Sequence, residues 1–281
     1  MKTALECIPC FARQAAEAVT QTVSEPDRRE QILRTLLRVI SEADWNGSPP
    51  AMGQRIHRLI RQELGCDDPY REIKQRMNRM ALQLLPHLRE SMARQPDLRE
   101  AAVRVAIAGN LLDAGAKTQM EMDALPRYME TIWTRPLHGD VSALFDAAER
   151  ATRILYLADN AGEIIFDRVL IEALPRGKVT VFVRGSPVLN GATLDDAITA
   201  GLPELAPVFP NGSDAPGTLL DDCSGQLRDA FARADMIIAK GQGNYETLSE
   251  SPRPIFFLFV VKCPVIAARV GAPVGTLVAG R

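Results

Sequence analysis

Polar and glycine residues follow the first predicted strand in the second half of the chain. Asp159 and Asn160 come directly after the apolar segment 153–158, and Gly162 and Glu163 come next. An adjacent carboxylate and amide present two hard oxygens in one turn, and these are the ligands that Mg²⁺ and Mn²⁺ prefer. Gly162 would let a ligand approach the backbone closely, and a helix beginning at Glu163 would point N–H groups to the same place. The segment therefore predicts a metal and phosphate site, with helix capping by Asp159 or Asn160 as the alternative.

The segment after the second predicted strand adds a cation and further oxygen ligands. Arg184 follows the strand 178–183 directly, and a guanidinium binds phosphate through two parallel hydrogen bonds. Asn190 and Asp196 lie downstream and offer oxygens to a metal or a substrate. Thr193 is spaced to cap the following helix, with Asp196 closing a capping box. Metal binding and helix capping both remain open for Asp196.

Two lysines follow later predicted strands. Lys240 comes after the strand 235–239, and Asn244 and Glu246 follow it across two glycines. The spacing differs from a P-loop, which needs Lys-Ser/Thr at its end, and from the GxGxxG fingerprint, whose last glycine is replaced by Glu246. Lys262 follows the next strand and is a second cation. A metal ion together with cations on phosphoryl oxygens is the usual electrostatic solution for phosphoryl transfer.

The elements that must position these residues change in type near residue 150. Before it, apolar residues at mixed three and four spacing predict helices, and after it short apolar strands alternate with helices, which predicts a mainly parallel sheet. Ligands of such sheets lie at the carboxyl ends of the strands. We therefore predict a helical region, 1–148, and an α/β region, 149–281, that carries the site. The predicted helices of the first region span 13–22, 28–43, 52–64, 70–94, 98–112 and 120–134; the strands of the second span 153–158, 178–183, 206–209, 235–239 and 255–261, with helices at 163–174, 195–200 and 219–234.

Composition limits the classes of partner and compartment. The 281 residues include 33 basic and 35 acidic ones, for a formal net charge of −2, so no basic excess points to nucleic acid or an anionic membrane. Five cysteines are an odd number at low density, which disfavours a secreted disulfide scaffold. No signal-like segment is visible, and the longest apolar run is too short to span a bilayer. We expect a cytoplasmic protein whose partner is a small phosphorylated metabolite.

Two smaller groups of residues leave their role open. Cys7 and Cys10 form a C-x₂-C pair, which supplies at most two of the four ligands of a structural zinc site, so packing competes with metal or redox work. Asn110 and Asp113 follow a predicted helix, where they would either end the helix or bind substrate.

Taken together, the motifs resemble a known family, the metal-dependent damage-control phosphatases, whose domain is also called domain of unknown function 89. The segments that carry the resemblance, which covers nearly the whole chain in order, are DNAGE (159–163), LNGAT (189–193), NGSDAPGT (211–218), KGQGNYE (240–246) and KCPVIA (262–267). ECIPCFARQ (6–14) and AGNLLD (108–113) resemble the prokaryotic, CxxC-containing branch.

The resemblance implies a fold, a cofactor and an activity. The fold is an N-terminal multihelical region packed on a Rossmann-like α/β/α sandwich, and the activity is hydrolysis of small phosphometabolites with a divalent Mn, Ni, Co or Mg ion. Asp159 and Asn160 match the metal ligands of the family. Lys240, with Asn244 and Glu246, matches its substrate-side loop, and Lys262 matches its phosphate-contacting lysine.

One position departs from the family pattern. The family usually reads LNDxT, with the aspartate as a third metal ligand, and Gly191 stands there in this chain. Asn190, Asp195 or Asp196 would have to replace it, or the chain is a weakly active or non-catalytic phosphometabolite-binding protein. A dinucleotide-dependent oxidoreductase is disfavoured because no strand is followed by GxGxxG. Direct attack by water and a covalent step on Asp159 remain equally open.

Overall fold

The computed structural model describes residues 1–111 and 129–281. Five helices form the first part of the chain: α1 (Cys7–Thr22), α2 (Pro26–Ser41), α3 (Pro49–Leu64), α4 (Arg71–Met92) and α5 (Leu98–Ala108). This confirms the predicted helical character, although α1 begins six residues before the predicted start at residue 13. The predicted helix at 120–134 lies largely outside the described residues, and Asp113 lies outside them.

Apolar spacing and proline placement account for the first helices. In α2, Ile32, Leu36 and Ile40 recur at every fourth residue and are buried against α1 and α3. Prolines open both α2 and α3, at the first-turn positions where no intrahelical N–H bond is lost. The pattern therefore sets the buried face, and the prolines set where the helices begin.

Seven strands form one sheet in the order β1-β7-β6-β5-β2-β3-β4. All neighbouring strands are parallel except β6 and β7, which confirms a mainly parallel sheet. The five predicted strands correspond to β2 to β6, whereas the edge strand β1 and its neighbour β7 were not predicted. The strands are β1 (Leu137–Gly139), β2 (Ile154–Leu157), β3 (Val179–Val183), β4 (Val208–Pro210), β5 (Met236–Lys240), β6 (Ile255–Val260) and β7 (Leu277–Gly280).

Helices cover both faces of this sheet. They are α6 (Val141–Arg150), α7 (Glu163–Ala173), α8 (Leu194–Thr199), α9 (Gly225–Arg233), α10 (Gly241–Leu248) and α11 (Pro264–Val270). One buried cluster joins α4 to α8 with one face of the sheet, and a second joins α9, α10 and α11 with the other. The result is an α/β/α sandwich with the first helices packed on it. The first cluster contains residues from both sides of residue 148. The predicted domain boundary at that residue stays a prediction.

Two predicted element boundaries were wrong. The segment KGQGNYE was interpreted as a loop, and the structure forms α10 from its second residue onward. Two glycines lower the helix propensity of this segment, and packing of Tyr245 on Phe257 and Phe259 overrides that preference. The helix predicted at 219–234 begins only at Gly225, capped by Ser224.

A partly exposed ion-pair cluster links α3 to the loop after β4. Asp214 accepts hydrogen bonds from Gln54 and Arg58 at 2.6 Å each and from Arg61. Burial alone would raise the pKa of Asp214, but the hydrogen bonds from Arg58, Gln54 and Arg61 lower it to about 2. The loop NGSDAPGT therefore has a structural role in holding α3.

We expect Asp214→Asn to lower the free energy of unfolding by about 1 to 3 kcal/mol at pH 7. The folded-state pKa lies below the unfolded value of about 3.9, so the carboxylate stabilises the fold above that value and loses its effect as the pH falls toward 2. Urea unfolding of both proteins between pH 7 and pH 3 checks this. Asp229→Asn, on an exposed face of α9, is the matched control. A difference between wild type and variant that does not shrink with falling pH would contradict the assignment.

Candidate functional site

The predicted site residues gather at the carboxyl ends of the central strands. β2 lies between β3 and β5, with Leu157 paired to Phe182 on one side and Ala239 on the other. Because these strands are parallel and in this register, the segments that follow them meet at one edge of the sheet. Asp159 and Arg184 are thereby brought into contact.

Asp159 is buried and held by three side-chain donors. Arg184 donates from Nη2 to Oδ1 at 2.7 Å, and Asn160 and Asn110 donate from Nδ2 to Oδ2 at 2.8 and 3.2 Å. Gly241 lies directly against the carboxylate, since a Cβ built at that position would collide with it. Gly241 also has φ +79°, a conformation that favours glycine. The backbone at the start of α10 therefore lies against the Asp159 carboxylate, and only glycine leaves room for this contact.

Arg184 combines deep burial with an unused donor. Its Nη1 donates to the Gly217 carbonyl at 2.6 Å, while its Nε has no hydrogen-bond partner among the described residues. The Nδ2 of Asn190, also buried, has no partner among these residues either. Ala161 donates from its backbone N to the Asn190 carbonyl at 2.8 Å, so Asn190 lies against the Asp159 loop. Two buried donors without acceptors indicate a ligand rich in acceptor oxygens.

Gly191 lies inside the site, beside both Asn160 and Arg184. It forms an isolated antiparallel bridge with Asn160, and the neighbouring Ala192 donates from N to the Asp159 carbonyl at 2.9 Å. A Cβ at Gly191 would lie 2.9 Å from Cγ of Arg184. The stem of Arg184 therefore takes up the space that a side chain at position 191 would need.

Asn160 is oriented by two carboxylates. Its Nδ2 donates to Oδ2 of Asp159 and, at 3.3 Å, to Oε2 of Glu163. Glu163 also accepts from Nδ2 of Asn110 at 3.0 Å. The amide of Asn160 is thus held between the two carboxylates, next to Asp159.

Asp196 is tied into the frame around the loop. Its Oδ2 accepts from N and Oγ1 of Thr193, both at 2.8 Å, which is the capping box that the spacing predicted. Its Oδ1 accepts from Asn78 at 2.7 Å, and Lys74 lies 3.4 Å from Oδ2. Asn78 in turn accepts from the backbone N of Gly162 at 2.6 Å. Sequence reasoning missed Asn78 and Lys74, which belong to α4 and carry no local signal.

Lys240 lies beneath the site and has no solvent exposure. Its Nζ donates to Oε1 of Glu163 at 2.7 Å, to Oδ1 of Asp167 at 2.6 Å and to the Ala106 carbonyl at 2.9 Å. Three protein acceptors match the three protons of an ammonium group. Asp167 was not predicted, although its position four residues after Glu163 on α7 places both carboxylates on one face.

Asn244 and Glu246 take different positions on α10. Asn244 is buried, donates from Nδ2 to the Lys240 carbonyl at 2.7 Å and accepts from Oγ1 of Thr218 at 2.8 Å. Glu246 is partly exposed and accepts from Nε2 of Gln242 at 2.8 Å. Burial raises the pKa of Glu246 to about 7, against smaller opposing effects of Gln242 and Lys262.

The remaining candidates lie at the periphery. Lys262 is exposed, and its backbone N donates to Oε1 of Gln242 at 3.0 Å. Cys7 is half-buried at the start of α1, where burial raises the pKa of its thiol, and Cys10 is exposed. Within residues 1–111 and 129–281, no three His, Cys, Asp or Glu side chains are arranged to hold a metal ion by themselves. In the same residues, no helix is both long and apolar enough to cross a membrane.

Comparison with known proteins identifies the family to which this chain belongs. The family model described as the damage-control phosphatase ARMT1-like domain matches residues 3–278. The damage-control phosphatase of Pyrococcus horikoshii is 36% identical over 288 residues, covering 100% of this chain and 98% of that protein. A damage-control phosphatase of Archaeoglobus fulgidus is 32% identical over 289 residues, covering 99% of both.

The fold agrees with a solved structure as well. The crystal structure of a DUF89 family protein from Pyrococcus horikoshii matches with a TM-score of 0.89 at 34% identity, over 100% of this chain and 99% of that one. The family expected from the DNAGE and KGQGNYE segments is thus confirmed, and the chain belongs to the ARMT1-like damage-control phosphatase domain family.

Proposed function

We propose that the protein is a divalent-metal-dependent phosphatase of small phosphometabolites, such as sugar phosphates or damaged phosphorylated cofactors. The observation that carries the proposal is the contact of Asp159 with Asn160 and with Arg184. The buried Nε of Arg184, like Nδ2 of nearby Asn190, has no acceptor among the residues that the structure describes. A phosphoryl group supplies acceptor oxygens for those donors. The names of the relatives from Pyrococcus and Archaeoglobus, both damage-control phosphatases, support phosphatase activity.

The donor set around Asp159 fits a hard divalent ion. Mg²⁺ in proteins is often held by one or two carboxylates, with water and substrate phosphate completing its shell. Asp159 and Oδ1 of Asn160 would hold Mn, Ni, Co or Mg in this way. When bound, such an ion would polarise a phosphoryl oxygen and favour attack by water. In this proposal Asp196 shapes the loop, because it closes the capping box of α8 and accepts from Asn78.

The other side chains of the site divide into substrate ligands and support. Arg184 and Asn190 bind phosphoryl oxygens, and Lys262 at the rim adds positive charge. Lys240 acts through Glu163, since its protons are used by protein acceptors. Direct attack by water and a covalent step on Asp159 differ in one measurable result. Capture of beryllium fluoride, an aspartyl-phosphate analogue, on Asp159 is expected for the covalent step and not for direct attack by water.

The test of the function is phosphate release from p-nitrophenyl phosphate and a panel of sugar phosphates. Metal-stripped protein would be assayed without metal and with Mn, Ni, Co or Mg. Release restored by one of these ions supports the proposal. Tight binding of a sugar phosphate without release under any metal would favour the second candidate function, a non-catalytic phosphometabolite-binding protein. The observation in its favour is that Gly191 offers no carboxylate and that the stem of Arg184 takes up the space of a side chain there.

Glu246 is suited to give a proton to the leaving group. With a pKa of about 7 its carboxyl is partly protonated at neutral pH, and protonation is lost as the pH rises above 7. We expect Glu246→Gln to lower kcat/KM by about 100-fold or more and to remove the decline of activity above pH 7. Rate profiles between pH 5 and pH 9 check this. Glu250→Gln, four residues further on and exposed, is the control. An unchanged decline in Glu246→Gln would assign the proton to another group.

A further inference from the structure

Asp167 is a buried carboxyl that the proposed reaction does not use directly. It lies on α7 beneath the site, without solvent exposure. Its Oδ1 accepts from Nζ of Lys240 at 2.6 Å and from the hydroxyl of Tyr156 at 2.7 Å. Its Oδ2 has no hydrogen-bond partner among the described residues. Oδ1 of Asp167 thus accepts two hydrogen bonds, whereas Oδ2 accepts none from the described residues.

Glu163, which shares Lys240 with Asp167, is satisfied at both oxygens. Oε1 accepts from Lys240 at 2.7 Å, and Oε2 accepts from Asn110 and Asn160 at 3.0 and 3.3 Å. One buried ammonium therefore faces two buried carboxyl groups, and the pair of carboxyls would leave one uncompensated negative charge if both were ionised. Burial of such a charge is costly, and a buried carboxyl group takes up a proton instead.

We infer that Asp167 is held as a neutral carboxylic acid with its proton on Oδ2. The unpartnered oxygen identifies Asp167 as the protonated group, because an unpaired buried hydroxyl costs far less than an unpaired buried oxyanion. Both oxygens of Glu163, by contrast, accept hydrogen bonds, from three donors in all.

The groups facing Asp167 from neighbouring elements agree with this assignment. They are Tyr156 from β2, Lys240 at the end of β5, Glu163 on the same helix and Asp159 in the loop before it. The packed helix α5 contributes the Ala106 carbonyl to Lys240. Burial raises the pKa of Asp167, the negative charge of Asp159 adds to that effect, and Lys240 and Tyr156 oppose it.

The proton on Asp167 has a consequence for the site, and this consequence rests on the proposed function. With Asp167 neutral, Lys240 donates to Glu163 without a second buried negative charge beside the pair. Glu163 accepts from the Nδ2 groups of Asn110 and Asn160, and these bonds fix the orientation of Asn160. Asp167 and Tyr156 are positioning residues for Asn160, and neither touches substrate.

The test is Asp167→Asn, because an amide mimics the shape and neutrality of the protonated acid. We expect Mn²⁺ affinity, measured by electron paramagnetic resonance, to change by less than about twofold. We also expect the variant to have a higher urea midpoint than wild type at pH 7. This difference should shrink toward pH 4, since wild type holds at neutral pH a proton that its unfolded chain releases above about pH 3.9.

Two results would overturn the inference. A difference in urea midpoint that stays constant between pH 7 and pH 4 would mean that Asp167 is ionised, as would a tenfold loss of Mn²⁺ affinity in Asp167→Asn. Infrared spectra of wild type and Tyr156→Phe supply a second measurement. A protonated-carboxyl band at pH 7 that shifts in Tyr156→Phe supports the assignment, because Tyr156 donates to Asp167. Absence of such a band from wild type, or a band that does not shift in the folded variant, refutes it. Neither the urea nor the infrared readout involves phosphate release, so failure here is distinct from failure of the proposed phosphatase.

Discussion

Asp159→Asn is expected to lower metal-dependent phosphate release by about 1,000-fold or more. The substitution keeps the shape of the side chain and removes the carboxylate that would hold a divalent ion. It also leaves Arg184, of which only 2% is exposed, without its ionic partner at 2.7 Å. We therefore expect a fall in kcat together with weaker Mn²⁺ binding, because the carboxylate contributes to both.

The measurement is kcat/KM for p-nitrophenyl phosphate and the best sugar phosphate, with Mn, Ni, Co or Mg added to metal-stripped protein. Asp229→Asn removes one carboxylate from an exposed surface and should retain full activity. Circular dichroism and urea unfolding show whether Asp159→Asn is folded. Activity within tenfold of wild type in folded Asp159→Asn would exclude Asp159 as the metal ligand and leave Arg184 and Asn190 as the main determinants of phosphate binding.

The sequence predicts the position of the site better than its internal organisation. Asp159, Asn160 and Arg184 directly follow central strands, and the parallel arrangement of those strands brings such residues together whatever the loops do. Strand ends are marked by the change from apolar to polar residues, which local patterns reveal. The location at one sheet edge could therefore be predicted from the chain alone.

The supporting contacts could not be predicted in this way. Asn78 reaches Gly162 across 84 positions of the chain, and the sequence around it reads as an ordinary amphipathic helix. Lys240 ends a strand, which suggested a direct phosphate ligand, yet its side chain turns toward α7 and Asp167. Side-chain direction at a strand end depends on which polar partners the packed helices present. Side-chain direction is therefore set by tertiary contacts, whereas the position of a strand follows from the local sequence pattern.

Two strands and one helix were also beyond local patterns. β1 forms one edge of the sheet beside β7, but Leu137–Gly139 contains only one apolar residue, and its pairing with Leu277–Gly280 depends on chain segments about 140 residues apart. The helix α10 has two glycines among its first three residues, so its stability comes from packing on β6 and not from propensity.

Lys240→Met is expected to have the largest effect on stability. Methionine keeps much of the apolar stem but removes the cation, so Glu163 is left buried without its ionic partner. Breaking a buried ion pair from one side costs about 3 to 5 kcal/mol in the free energy of unfolding. The loss should decrease at low pH, because burial raises the pKa of Glu163 and protonation removes the stranded charge.

The double variant Lys240→Met, Glu163→Gln separates charge from packing. Replacing both partners removes the buried charge, so we expect it to recover about half or more of the lost stability, as neutral replacements of buried pairs generally do. Urea unfolding at pH 7 and pH 5 measures all three proteins. If Lys240→Met unfolds at the wild-type midpoint, Glu163 is not ionised in the folded protein, and the charge that orients Asn110 and Asn160 must have another source. If the single variant is destabilised equally at both pH values and the double variant recovers nothing, the lysine contributes packing alone.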